Sequence, residues 1–425
     1  MNRKLIIILS MVLIVLVLTI LPVSAQKKVT VSFWYPHTGL YGDVIRSLVD
    51  MFNKESATVS VKATYVPVTA GTQVSERLMA AIAGGNPPDT AYFDRFTVGS
   101  WAVRGSLTDL TDYAKALGVT SDMYYSFAWE EANYEGRLYA LPHDTDDRAL
   151  YYNKKVFRDA GLDPEKPPKT IAELDAMAEK ITKKDARGRL ERIGLIPWLN
   201  QGWLYGWGWV FGGEFYDPKT RKVTANDPKI VAALEWMVSY AKKYDVAVID
   251  SFSAAFGSEA MDPFHVGQLG TVIDGDWKLA LIDKYAPDLE FGVVPFPIPP
   301  GGKLSTWAGG WSIVVPKGAK NPKEAFEWAS WFCGPKGQLL YCVATAHIPT
   351  IKEAAQDPAF WEGYHKVFME LLPYARYRPV IPEGDLLWVE LASATDQARH
   401  LVKPSKQLLD EATAKVNKAL EKWYK

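Results

Sequence analysis

From Val29 to Trp34 the chain has the period-two pattern of a strand. Val44, Ile45, Leu48, Val49 and Phe52 then follow helical spacing, and Val59 to Val66 returns to a strand pattern. Strand, helix and strand with short connections predict a parallel sheet covered by helices. Glu76 to Ala83 is a second helix, stopped by Gly84-Gly85-Asn86-Pro87-Pro88, and Asp89 to Phe93 reads as a buried strand. The first part of the chain is thus α/β. Leu138 to Tyr152 is extended, and Asn153 leads into a short helix ending at Gly161. Thr170 to Lys183 is an amphipathic helix with Thr170 as N-cap and Glu173 at the capping-box position. Asp227 to Lys243 is helical and Leu269 to Ile273 strand-like, while the proline-rich Phe291 to Pro300 is expected to carry the chain between two lobes. The remainder reads as helices over Lys323–Phe332, Gly337–Ala344, Trp361–Leu371, Leu386–Leu401 and Pro404–Trp423.

The leader changes this picture. Arg3 and Lys4 precede an apolar run from Leu5 to Leu21, followed by Pro22 and the small-residue site Val23-Ser24-Ala25. Residues 1–25 are expected to be a signal peptide cleaved after Ala25; a retained membrane anchor is the alternative, since the run approaches the ~20 residues that span a bilayer. No cysteine lies at the cleavage region to carry a lipid. A periplasmic or otherwise extracytoplasmic protein is expected.

The mature length of about 400 residues exceeds what one core usually serves, so two lobes are expected. Formal net charge is −1, which gives no electrostatic footprint for nucleic acid. Sixteen Trp and twenty-one Tyr exceed what cores require, and amphipathic rings commonly line concave ligand sites. Cys333 and Cys342 are the only cysteines. An oxidising compartment permits a disulfide between them, and two buried thiols fit the spacing equally.

There is no phosphate-binding G-x-x-x-x-G-K-[ST] loop, no G-x-S-x-G elbow and no H-E-x-x-H helix, and the six histidines are scattered. The densest polar cluster is Asp144-Thr145-Asp146-Asp147-Arg148. As a calcium loop it fails, because Arg148, Ala149 and Lys155 occupy positions that need a ligand, a glycine and a bidentate Glu. As a glycosidase pair it also fails, since adjacent residues on a strand point to opposite faces. A solvated turn with an internal ion pair, or a carboxylate that accepts hydrogen bonds from sugar hydroxyls, both fit.

Several ordered motifs carry a resemblance. Ala80-Ala81-Ile82-Ala83-Gly84-Gly85-Asn86-Pro87-Pro88-Asp89, Leu141-Pro142, Tyr151-Tyr152-Asn153-Lys154, Ala160-Gly161-Leu162-Asp163-Pro164 and Pro168-Lys169-Thr170 resemble the family 1 extracellular solute-binding proteins, which include the maltodextrin-binding proteins of ABC importers. The similarity continues through Asp274-Gly275-Asp276-Trp277, Phe291-Gly292-Val293-Val294-Pro295, Gly309-Gly310-Trp311, Val315-Pro316-Lys317-Gly318 and Ile348-Pro349-Thr350. It covers nearly the whole mature chain.

The resemblance implies a two-lobe α/β periplasmic-binding-protein fold with an interlobe ligand cleft, several hinge crossings and a closing motion. The expected division is 26–144 plus 270–325 in the N-terminal lobe and 145–269 plus 326–425 in the C-terminal lobe. The same resemblance puts Asp94-Arg95 where relatives bind sugar hydroxyls with an acidic and basic pair, and Asp146 where they place a carboxylate by the first crossing. Trp277 and Trp388 are similar to their stacking tryptophans, and His37-Thr38 replaces an acidic residue and a lysine. Arg95 also fits a surface pair with Asp94, and Trp388 a core position. Trp203, Tyr205, Trp207 and Trp209 lie among glycines and read as an aromatic surface platform. Trp307 and Trp311 flank Gly309-Gly310, where bare backbone admits a ligand closely.

The expected activity is capture of a sugar or oligosaccharide and delivery to an ABC importer, with a carbohydrate ligand and the importer's transmembrane subunits as partners. A monomer is expected, with no catalysis, no cofactor, no metal and no nucleic-acid partner. A polyol or sugar-phosphate ligand is the nearest alternative, and a secreted glycosidase the one from another class.

Overall fold

The computed structural model describes residues 27–68 and 76–424. The leader and its cleavage site lie outside the described residues. Among the described residues no helix is long and apolar enough to cross a membrane.

Val29–Tyr35 turns Val31, Phe33 and Tyr35 inward, and the helix Gly39–Glu55 packs on the neighbouring strand with Ile45, Leu48, Val49 and Phe52 buried in the same core. This strand is the second of a five-stranded sheet ordered Val59–Tyr65, Val29–Tyr35, Thr90–Asp94, Trp311–Val314, Ala140–Pro142. The first three are parallel, as the strand–helix–strand pattern predicts. Trp311–Val314 runs antiparallel to both of its neighbours, so the sheet is mixed. It enters from the second part of the molecule, which reverses its direction.

A second sheet places Arg148–Asn153 between Thr271–Gly275 and Phe291–Val294, antiparallel to both. The middle strand is buried at all six positions, which explains its continuous apolar run Ala149 to Tyr152. On this side the helices Leu204–Val210, Pro228–Tyr244, Gly384–Arg399 and Ser405–Leu420 pack against one another. Thr170 and Glu173 form the expected capping box at the start of Ile171–Ile181.

The strand pairing corrects the expected division of the chain. Residues 270–325 were placed with the first lobe, yet Thr271–Gly275 and Phe291–Val294 both pair in the second sheet. Residues 326–425 were placed with the second, yet the helices Pro322–Phe332 and Pro335–Thr345 pack on the first sheet and its helix Gly39–Glu55. Alternation along a strand reports which face is buried, not which sheet the strand joins.

Among the described residues three connections link the two sides. Residues 143–147 run between strands of the two sheets, residues 295–310 return, and residues 346–383 lead from helix Pro335–Thr345 to helix Gly384–Arg399. The connections touch one another: Asp144–Thr145 pairs with Ile348–Pro349, and Asp146 bridges Gly309. Cys333 and Cys342 are both free and buried. Burial pushes both thiols up, which makes them poor nucleophiles.

Candidate functional site

A cleft of about 260 Å³ lies where these connections meet. That is slightly below the roughly 300–1,000 Å³ usual for a small-molecule site. Its wall combines half-buried tryptophans with buried ion pairs.

Three indoles present part of their surface to the cleft, and each is set by its local sequence. Trp277 ends the turn Asp274-Gly275-Asp276. The Asp274 and Asp276 carboxylates accept from the Gly275 and Trp277 amides at 2.9 and 2.8 Å, and a Cβ at Gly275 would sit 2.1 Å from the Trp277 ring. Only glycine lets the indole fold back over the strand end. Trp203 caps the helix Leu204–Val210 and meets Trp388 at 4.4 Å between ring centres. Trp311 stacks on Tyr92 at 5.3 Å and 9°, and His37 meets its ring at 4.6 Å. Trp307 and Trp388 also line the cleft but are 2% and 4% exposed, so they support the floor more than they offer a face.

Two carboxylate–guanidinium pairs sit among the rings. Asp94, at the end of the first-sheet strand Thr90–Asp94, accepts from Arg378 at 2.9 Å. The Arg378 guanidinium lies 3.8 Å from the Phe96 ring centre and 5.2 Å from those of Trp307 and Trp388. Asp146 pairs with Arg148 and also accepts from the Gly309 amide at 2.7 Å. Arg148 lies 4.1 Å from the Trp307 ring centre and 5.1 Å from that of Trp277. Such cation–π contacts fix the guanidinium planes. Burial raises the Asp94 carboxyl, and Arg378 opposes that rise.

The imidazoles are set differently. Burial lowers His37 from 6.5 to about 3, so it is neutral, and its sealed Nε2 has no partner. His347 stacks on Trp277 at 5.8 Å, and its Nδ1 meets the Thr345 hydroxyl at 2.9 Å. Deeper in the crossing, both oxygens of Asp147 and Oδ2 of Asp276 are buried without a hydrogen-bond partner. Burial, reinforced by the neighbouring Asp146, raises both carboxyls well above the ordinary range. Among the described residues no group of three or more His, Cys, Asp or Glu could hold a metal.

Of the residues expected at a site, His37, Asp94, Asp146, Trp203, Trp277, Gly310, Trp311 and Trp388 line this cleft. Three do not. Thr38 is exposed at the start of helix Gly39–Glu55. Arg95 is fully buried and neither reaches the cleft nor pairs with Asp94: its Nε donates to Glu131 at 3.1 Å, and its other nitrogens donate to the Asp144 and Gly309 carbonyls. It fastens two crossings together. Trp207 is 0% exposed and donates its Nε1–H to the Pro197 carbonyl at 2.9 Å.

The aromatic platform is therefore a core helix: Tyr205, Trp207 and Trp209 turn inward, and Trp203 at its end reaches the cleft. Glycine makes this possible, since a Cβ at Gly208 would meet the Phe215 ring at 2.6 Å. Gly310 has φ +125, and a Cβ there would meet the Asp144 carbonyl at 2.4 Å, so its bareness serves the crossing. The Asp144 to Arg148 cluster is buried throughout and not a solvated turn.

Tyr41, Asn200, Gln201, His347 and Arg378 line the cleft without having been singled out from the sequence. His347, one residue before the Ile348-Pro349-Thr350 motif, carried the nearest signal.

The model of the family described as bacterial extracellular solute-binding protein matches residues 47–367. The chain is 26% identical over 348 residues to a probable ABC transporter-binding protein of Deinococcus radiodurans, covering 79% of each. It is 24% identical over 329 residues to a maltotriose-binding protein of Pyrococcus abyssi, covering 75% of this chain and 67% of that one. The solved structure of CpMnBP1 with mannobiose bound matches with a TM-score of 0.84 and 32% identity over 91% of this chain and 99% of that one. With two sheets joined by three crossings around an aromatic cleft, and a match over three quarters of its length, the chain belongs to the bacterial extracellular solute-binding proteins.

Proposed function

We propose that the cleft holds a short oligosaccharide of mannose, which the protein delivers to the transmembrane subunits of an ABC importer. The observation that carries this is the pairing of half-buried indole faces with two buried carboxylate–guanidinium pairs in one cleft. Sugar rings have apolar faces and hydroxyl edges. Stacking serves the first, and charge-assisted hydrogen bonds to Asp94, Asp146, Arg148 and Arg378 serve the second. Each buried hydroxyl partner left unpaired by a wrong sugar costs about 1–3 kcal/mol, which is a source of selectivity. Mannose is favoured because CpMnBP1, 32% identical, is solved with mannobiose and with mannotriose bound.

As a member of a family of solute-binding proteins, the protein is a carrier and not an enzyme. The basic, apolar and small-residue segments of residues 1–25 support export with cleavage after Ala25. A relative from Pectobacterium atrosepticum, 25% identical over 372 residues, is an sn-glycerol-3-phosphate-binding protein. Here both cleft guanidiniums already carry a carboxylate partner, which favours a neutral ligand over a phosphate.

Isothermal titration with mannobiose, maltose and sn-glycerol 3-phosphate tests the reading. Mannobiose is expected to bind saturably and most tightly. Preference for maltose would replace the sugar, and preference for the phosphate would overturn the neutral-ligand argument.

A further inference from the structure

The second sheet has two unlike ends. Strand Thr271–Gly275 leads into Trp277 at the cleft, whereas Leu269, just before that strand, bridges Ile193 at the opposite end. Ile193 directly follows a hairpin of strands Lys183–Lys184 and Leu190–Arg192, which pairs with no other strand among the described residues. The hairpin is thus separated from the cleft by the length of a strand.

From Lys183 to Arg192 the chain carries five cations against two acids, Asp185 and Glu191. Arg189 pairs with Asp185 at 2.7 Å, and Arg192 with Asp159 at 3.4 Å. Asp185 also accepts from the Arg187 and Arg189 amides at 2.8 and 2.9 Å, so it is held inside the turn. Lys183, Lys184 and Arg187 are exposed and have no carboxylate partner among the described residues. The helices Ile171–Ile181 and Pro228–Tyr244 both end beside this hairpin. Lys184 Nζ donates to the Tyr244 carbonyl at 3.3 Å, and Lys243 pairs with Glu179 at 3.0 Å, which leaves their chain neighbours Lys242 and Lys180 exposed at the same end. The negative ends of two helix dipoles offset the repulsion among these cations, so one sign of charge can gather here without acidic partners. The result is a basic face on a chain whose formal net charge is −1.

We infer that this face docks the protein on a bilayer of anionic phospholipid. Exposed Lys and Arg are drawn to a layer of anionic headgroups one by one, without a pocket, and the attraction is screened by salt. A two-stranded hairpin that carries them on its turn meets such a layer ahead of the rest of the lobe. Docked by that end, the molecule turns its cleft away from the bilayer and toward incoming solute. The inference does not depend on which solute the cleft holds.

Co-sedimentation of the mature protein with vesicles tests this, using pure phosphatidylcholine and an equal mixture of phosphatidylcholine and phosphatidylglycerol. Wild type is expected to sediment with the mixed vesicles alone at low salt and to be released at about 0.5 M salt. Each cation near the surface is worth about fivefold in partitioning, so a variant combining Lys183→Gln, Lys184→Gln and Arg187→Gln is expected to bind about 100-fold more weakly. Its urea unfolding curve, expected to match wild type, shows that the fold is intact. Equal binding to both vesicle types, binding to neither, or wild-type binding by the triple variant would each overturn the inference. Release from the mixed vesicles by millimolar sn-glycerol 3-phosphate would assign the face to free phosphate and overturn the membrane as its partner.

Discussion

The two ion pairs of the cleft have the same chemistry and opposite origins. Asp146 and Arg148 are two residues apart where the first crossing enters the second sheet, and Asp146 has a second donor in the Gly309 amide. Asp94 and Arg378 are 284 residues apart, one ending a first-sheet strand and the other on the connection into helix Gly384–Arg399. The local pair is preassembled by the backbone. The distant pair depends on the last connection packing against the end of the first sheet, where Arg378 also lies on the Phe96 ring. Both guanidiniums lie against the Trp307 ring, 4.1 and 5.2 Å from its centre.

Removing Arg378 should show the difference most strongly. Arg378→Ala leaves a buried Asp94 without its cationic partner and is expected to cost about 3–5 kcal/mol of stability. Arg148→Ala should cost less, because Asp146 keeps the Gly309 amide at 2.7 Å, whereas Asp94 keeps only the Phe96 amide at 3.4 Å. Urea unfolding of both variants measures this, and an equal or reversed order would break the distinction between the local and the long-range pair.

A second contrast lies within one aromatic stretch and its counterpart across the cleft. Trp207→Ala is expected to lose roughly 3–5 kcal/mol of folding stability while folded protein binds sugar normally. Trp277→Ala should do the opposite, weakening binding by about 1–3 kcal/mol, or about five- to 150-fold, with little change in ligand-free stability. Calorimetry and denaturant unfolding on both variants separate a core ring from a cleft ring. Unchanged affinity with a large stability loss in Trp277→Ala would remove it from the site.

Effects no larger than that of Trp277→Ala are expected in pH dependence, where the crossing and the cleft pull in opposite directions. Asp147 and Asp276 have raised folded values, so the stability they contribute is present below the unfolded carboxylate value and lost as pH rises through the folded one. His37 is lowered from 6.5 to about 3, so its contribution is present above 6.5 and lost as pH falls toward about 3. Asp147→Asn should stabilise the protein by on the order of 1–3 kcal/mol at about pH 8 and by little at about pH 4. His37→Gln should flatten the acid limb instead. Unfolding curves across this range check both, and a pH-independent gain in Asp147→Asn would contradict the assignment of a raised carboxyl.

Much of this architecture was legible in the sequence wherever the deciding interaction is local. The capping box at Thr170, the alternation of Val29–Tyr35 and the Asp-Gly-Asp turn that aims Trp277 are each decided within a few residues. Arg378 carried no signal because its partner is 284 residues away. Trp203 and Trp207 look alike in sequence, and only the packing of their helix sends one to the cleft and the other to the Pro197 carbonyl. The resemblance implied that Arg95 binds sugar beside Asp94, with a surface pair to Asp94 as the alternative, whereas burial directs it to Glu131 and two crossing carbonyls.

Sugar is expected to sit between the indole faces and across both ion pairs, and a crystal structure of the mature protein with mannotriose tests this directly. Sugar rings are expected against Trp203, Trp277 and Trp311, with hydroxyls within hydrogen-bond distance of the Asp94–Arg378 and Asp146–Arg148 pairs. Sugar bound elsewhere with the cleft empty, or rings that touch neither an indole face nor either ion pair, would contradict it.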